Sequence, residues 1–159
     1  MRLAGSLFSR VARWWLATPS WLRWAAVVAI MGVLWWSSSR SPGHGEPDVV
    51  GELAHNAMHL VAFGALAAAA WFACGTTGRV ATVVPLTIAV VYGCIDEFHQ
   101  SFVPGRTCSV GDAMTDTFGG IVAVWALRAW ISARRPRLLE AVVLALACAT
   151  SVVLATFVW

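Results

Sequence analysis

The sequence predicts an all-α protein: a polytopic integral membrane helical bundle of about five transmembrane helices, preceded by an N-terminal interfacial amphipathic helix. Three observations carry that prediction. The first is composition, since 59% of the 159 residues are hydrophobic and 12% charged, against roughly 25% charged in an ordinary soluble domain. Mean hydropathy is +0.73. A chain this small cannot cover so much apolar surface by folding on itself, so lipid must cover part of it. The second is the recurrence of apolar runs of about 20 residues, the length that a bilayer core of about 30 Å requires. The third is ten Trp, a residue that favours membrane interfaces. Together these exclude a soluble enzyme, a disordered chain and a coiled coil. All 11 basic residues are Arg. They are scattered, without the basic stripe and interleaved aromatics of a nucleic-acid surface, so no nucleic-acid partner is expected.

The first element is Met1 to Leu16. At about 100° per residue, Arg2, Ser6, Ser9, Arg10 and Arg13 fall on one arc, and Leu3, Leu7, Phe8, Val11, Trp14 and Trp15 fall opposite. That is the pattern of a helix lying in the membrane surface, broken at Thr18-Pro19-Ser20. The segment reads as retained. No A-x-A site follows the first apolar run, which ends instead on Trp35-Trp36-Ser37-Ser38, an interface anchor rather than a signal-peptidase site. Five candidate spans come next: Trp21 to Ser38, Leu53 to Cys74, Val80 to Phe98, Val110 to Ile131 and Leu138 to Trp159. The domain layout is therefore an amphipathic segment over 1–20, a main transmembrane domain over 21–137 and an additional C-terminal helix over 138–159. Cys74, Cys94, Cys108 and Cys148 form no CxxC or zinc spacing and read as buried small apolar residues. Gly64 and Ala68 on the second span, and Gly119, Gly120 and Ala123 on the fourth, permit close helix approach.

Arg placement orients the chain. Nine Arg fall on one side of the spans, and only Arg40 and Arg106 on the other, with Glu46, Asp48 and Glu52. The N-terminus is then cytoplasmic and the C-terminus outside.

Ionisable groups inside a membrane are costly and rare, yet three spans concentrate them. Glu52, His55, Asn56 and His59 share a face at the start of span two. Tyr92, Asp96, His99 and Gln100 share a face at the end of span three, with Glu97 beside them. Asp112, Asp116 and Gly119 share a face at the start of span four. Because alternate spans run in opposite directions, all three patches lie at one depth, in the outer leaflet, and form one pocket. The Pro104-Gly105 turn holds Arg106 over it, where a guanidinium can pair bidentately with Asp or Glu, or with a substrate phosphate or carboxylate. Ser109 is placed to cap span four, with Asp112 as its partner in a capping box.

The run Tyr92-Gly93-Cys94-Ile95-Asp96-Glu97-Phe98-His99-Gln100-Ser101-Phe102-Val103-Pro104-Gly105-Arg106, followed by Ser109, Asp112 and Gly119, closely resembles the signature of VanZ-like proteins. His59 with Phe63 and Leu66 resembles that family's earlier His motif, and Ser37-Ser38 followed by Pro42 resembles its first-span end. The likeness covers roughly residues 30 to 130. Where the family often carries a basic residue before the His, this chain has Asn56, with His55 beside it; where it often carries Tyr after the His, this chain has Phe63. The resemblance implies a multi-pass protein of the bacterial cytoplasmic membrane, in a family named for low-level resistance to the glycopeptide teicoplanin, and the depth of the polar pocket fits an envelope lipid head group or a lipid-linked cell-wall precursor as what it binds or acts on.

Two chemical readings of the polar patch stand beside a purely structural charge network. In an enzyme, His59, Asp96, Glu97 and Asp112 are the catalytic candidates, with Asp96 or Glu97 as general acid or base and His59 as proton shuttle. Tyr92, Gln100 and Arg106 are then the substrate-binding candidates. In a non-enzymatic shield the same pocket only holds a lipid head group. A proton-coupled transporter is a third class, against which the lack of repeats argues. No cofactor is required by the sequence, although His55 and His59, four residues apart, can face one divalent metal ion with Asp or Glu as further ligands.

Overall fold

The computed structural model describes residues 14–41, 48–75, 78–132 and 137–157. Among them are five long helices and no strand: α1 (Ser20–Ser38), α2 (Val49–Cys74), α3 (Val80–Gln100), α4 (Val110–Ile131) and α5 (Leu138–Phe157). The expected amphipathic segment lies mostly outside the described residues. Its end, 14–17, is helical, and the Thr18 hydroxyl donates to the Trp15 carbonyl at 2.6 Å before Pro19 opens α1.

The helices run alternately up and down. His59 meets Asp116 and Gly64 meets Gly119, so α2 and α4 are parallel. Gly93 meets Asp116 and Gly120 meets Ala89, which makes α3 antiparallel to α4. Gly111 meets Ala155, and Trp125 Nε1 donates to Glu140 Oε2 at 3.3 Å, which makes α5 antiparallel to α4. α2 packs on all four other helices, most extensively on α4. Glycine permits that approach: a Cβ on Gly119 would collide with the backbone of Leu60, and one on Gly120 would come within 2.8 Å of the Ala89 methyl.

Two apolar clusters fill the bundle. Val27, Phe63, Leu66, Ala70, Ala73 and Tyr92 join α1, α2 and α3. Ala67, Trp71, Ala81, Ala89 and Val124 join α2, α3 and α4. Val28, Val33, Val61, Val83 and Leu146 are each more than half exposed on the outer surface, an apolar exterior that suits lipid rather than water. Four helices, α1, α2, α3 and α5, are long and apolar enough to cross a membrane. α4 has 22 residues but carries Asp112, Thr115, Asp116 and Thr117 in its first turns, and it lies inside the bundle with Thr115 and Asp116 fully buried.

The helix ends are closed locally. Asp48 caps α2, accepting from Val50 N at 3.2 Å and Gly51 N at 3.1 Å. α2 ends on Gly75 in the left-handed region (φ 63°), and Arg23 Nη1 donates to the carbonyl of Phe72 at 3.2 Å. These bonds satisfy backbone groups that the helix itself cannot. All four cysteines are free; Cys94 and Cys108 are exposed and Cys74 and Cys148 half-buried. The expectation of buried thiols fails for Cys94, which lies on an exposed position of α3, and for Cys108, which lies in the loop before α4.

Candidate functional site

The polar residues gather at the end of the bundle where α1 and α3 finish and α2 and α4 begin. Asp96 and Glu97, adjacent on α3, are 2% and 3% exposed. Asp96 Oδ1 accepts from the Ser38 hydroxyl at 2.6 Å, tying the last residue of α1 to α3. Its Oδ2 accepts from Gln100 Nε2 at 2.9 Å. Glu97 Oε2 accepts from the backbone N–H of Ser109 at 2.7 Å, and Oε1 from Gln100 Nε2 at 3.3 Å. Ser109 is the N-cap of α4, as expected, with its Oγ accepting from Asp112 N at 3.1 Å. The other half of the expected capping box is absent. Glu97, reaching across from α3, takes the Ser109 N–H that the shorter Asp112 side chain would have had to accept. Asp112 Oδ1 is left buried without a hydrogen-bond partner.

Arg106 follows a tight turn. Its N–H donates to the Val103 carbonyl at 3.0 Å, with Pro104 and Gly105 between them and Gly105 at φ 82°, the arrangement of a type II turn. Nε donates to the Arg40 carbonyl at 3.0 Å, and Nη1 reaches His55 Nε2 at 3.2 Å and Gln100 Oε1 at 3.4 Å. A guanidinium only donates, so His55 accepts at Nε2. The bidentate carboxylate pair considered for Arg106 is not formed, because Asp96 and Glu97 turn inward onto Ser38, Gln100 and Ser109. Among the described residues the ion pair is His59–Asp116.

His55, Gln100 and Arg106 form a partition between two cavities. One, of about 300 Å³, has an apolar wall of Leu34, Met58, Ala62 and Phe63 and a polar side that includes His59 and Asp96. The other, of about 420 Å³, reaches Glu52, Asn56, Asp112 and Thr156. Behind the first, His59 Nδ1 lies 2.9 Å from Asp116 Oδ1. Asp116 is completely buried, and its Oδ2 has no hydrogen-bond partner. Oδ2 faces α3 at Gly93, where a Cβ would come within 3.0 Å of it. The His59 ring stacks on Phe63 with centroids 6.3 Å apart, which fixes its plane.

The structure thus gathers His59, Asp96, Gln100 and Arg106 around one cavity and sets Asp112 in the neighbouring one. Glu97 sits between α3 and α4. Tyr92 lines neither cavity; its hydroxyl donates to the Met31 carbonyl at 2.5 Å and its ring packs against Phe63, so it tethers α3 to α1. The His55–His59 pair considered for a metal does not converge either, since His55 Nε2 is committed to Arg106 and the two rings meet edge-on at 5.3 Å. Asp116 was visible as part of a polar face, yet its central place beside His59 was not. Asn56 Nδ2 donates to Thr156 Oγ1 of α5 at 2.9 Å, so the residue standing where a basic one was expected serves helix packing. At the rim, Trp35 stacks on His99 at 3.7 Å and the Arg40 guanidinium lies 3.6 Å over the Trp36 ring.

The family model described as VanZ/LLP1 matches residues 11–132, a stretch that holds every one of these site residues except Thr156. No curated protein and no solved structure matches the chain.

Proposed function

The chain belongs to the VanZ/LLP1 family, and on that premise we propose that it binds the anionic head group of an envelope lipid or lipid-linked cell-wall precursor at the polar end of its bundle. The observation that carries this reading is Arg106. Its guanidinium is fixed by three neutral partners and forms no ion pair among the described residues, so its charge remains available to a phosphate or carboxylate. It stands over a cavity of about 300 Å³ whose opposite wall is apolar, a pairing that fits an amphiphile. His59 is the group placed to move a proton at a bound head group, because Asp116 holds Nδ1 and leaves Nε2 as the ring's remaining polar atom on a side chain that lines the cavity. Asp112, in the adjoining cavity, is the second such candidate.

On this reading the protein is a five-span protein of the bacterial cytoplasmic membrane, with its N-terminus inside, its C-terminus outside and the cavity in the outer leaflet. Residues 1–20 lie on the membrane surface and 138–159 add a helix to the transmembrane domain. Occupation of that leaflet's precursor or head groups would lower susceptibility to teicoplanin. The full engagement of both oxygens of Asp96 and of Glu97 in hydrogen bonds, to Ser38 of α1, to Gln100 within α3 and to Ser109 at the start of α4, favours a second reading, a non-enzymatic shield in which these two carboxylates only hold the site together.

The test is purified protein against a panel of envelope lipids and lipid-linked precursors. Turnover to product selects the enzyme, and saturable binding without product selects the shield. No saturable binding by any anionic lipid, with Arg106→Gln indistinguishable from wild type, would remove the head-group reading.

A further inference from the structure

The buried side of the site carries more negative charge than the described residues neutralise. Asp96, Glu97 and Asp116 are each at most 3% exposed, and Asp112 has a buried oxygen without a partner. Arg106 sits on neutral groups, so among the described residues of this site His59 is the cationic candidate in contact with a carboxylate. Buried charge of this kind has to be paired or to coordinate a cation. Within the cluster, a nitrogen of His59, an oxygen of Glu97 and an oxygen of Asp116 all lie within 4.8 Å of one another.

The spacing suits an ion. Two donor atoms each about 2.1 Å from a metal are about 3.0 Å apart at an octahedral right angle and about 3.4 Å apart at a tetrahedral one, and His59 Nδ1 and Asp116 Oδ1, separated by 2.9 Å, meet the first and reach the second with a shift of about 0.5 Å. A second, independent feature is the orphaned Oδ2 of Asp116. It is fully buried and unpartnered, and it faces the bare backbone of Gly93 one helical turn from Glu97. A buried carboxylate oxygen without a donor is costly, and a cation between α2, α3 and α4 removes that cost.

We propose that His59, Glu97 and Asp116 bind one divalent metal cation of the Mn²⁺ or Zn²⁺ class. One imidazole with two carboxylates, and no thiolate, is the donor set of those ions rather than of Ca²⁺ or of the thiolate-bound metals. The ion takes the place of the proton between His59 and Asp116. It is set behind the cavity, so the site does not depend on the head-group reading and is tested without lipid ligand.

The experiment uses the full chain in detergent, stripped with chelator and titrated with Mn²⁺ while free Mn²⁺ is read by electron paramagnetic resonance. One Mn²⁺ per chain is expected, displaced by Zn²⁺. Asp116→Asn and Glu97→Gln each weaken binding at least about tenfold, while Asp48→Asn, an exposed carboxylate outside the cluster, leaves it unchanged. Pulsed spectra of the wild-type complex supply a check that needs no variant to fold: they show coupling to one imidazole nitrogen. Absence of stoichiometric binding by either ion, or bound Mn²⁺ with no nitrogen coupling, overturns the proposal.

Discussion

Gly119→Ala is expected to damage the site from a position that touches no ligand. Gly119 lies where α4 crosses α2, and an added Cβ would sit 3.0 Å from both Leu60 C and Leu60 Cα, closer still to Leu60 O. These are backbone atoms, so no rotamer change relieves the overlap. Restoring ordinary contact at 3.4 Å separates the helices by at least about 0.4 Å, and more at the carbonyl oxygen. Leu60 follows His59 directly, and Gly119 is one turn along from Asp116. The same displacement stretches the 2.9 Å His59–Asp116 contact to about 3.3 Å or beyond, past the usual range of a hydrogen bond. Overpacking of this kind costs about 1–3 kcal/mol, and a hydrogen bond to a charged group contributes about 1.5–3 kcal/mol, so a loss of roughly 3–5 kcal/mol is expected. The assay is reversible unfolding of chelator-stripped protein in bilayers or micelles, with the His59 Nδ1–H resonance followed by NMR. Gly32→Ala is the control, since a Cβ there meets nothing within 4 Å and should be neutral or stabilising by up to about 1 kcal/mol. Wild-type stability in Gly119→Ala, with the His59 resonance unchanged, would refute the reasoning.

Arg106→Lys keeps the charge but cannot hold the Arg40 carbonyl, His55 and Gln100 at once; lipid affinity should fall at least about tenfold, as measured by binding isotherms. Asp96→Asn replaces one acceptor by a donor facing Ser38 or Gln100 and should cost about 1–3 kcal/mol, read by the unfolding midpoint. Ser109→Ala removes the cap of α4 and should cost about 1 kcal/mol in the same assay. Fusion reporters at Ser41, Gly78 and Arg135 should report outside, inside and inside; a cytoplasmic signal at Ser41 would move the cavity to the inner leaflet.

Much of the bundle is written in the hydropathy of the chain. The expected spans and the helices share their ends at Ser38, Cys74, Val80, Val110, Ile131 and Leu138. They part where polar residues continue a helix that apolarity alone would stop: α2 starts at Val49 rather than Leu53, capped by Asp48, and α3 runs to Gln100 rather than Phe98. The common depth of the three polar faces was legible too, because helical spacing and alternating direction fix depth without any knowledge of contacts. Partner choice was not. That Glu97 would cap α4 in place of Asp112, that Arg106 would settle on neutral groups and that Tyr92 would turn to Met31 depends on how each helix is rotated about its axis. Three- and four-residue spacing leaves that rotation free by tens of degrees. Asp116 rather than Asp112 meets His59 because Gly119 and Gly64 set the register between α4 and α2, a contact that small residues permit but do not announce.

The pairing of α2 with α4 also orders events during synthesis. His59 and Asp116 are 57 residues apart, and Asn56 and Thr156 are 100 apart. When α2 enters the bilayer its polar face precedes both of its partners, and a polar group in hydrocarbon without a partner is costly. α2 has to wait, hydrated or shielded, until α4 has threaded in beside it, and Asn56 waits longer still for α5. A chain that ends after residue 132 would therefore carry a complete His59–Asp116 pair and an open flank at Asn56 and Gly111, the two positions that α5 covers at Thr156 and Ala155.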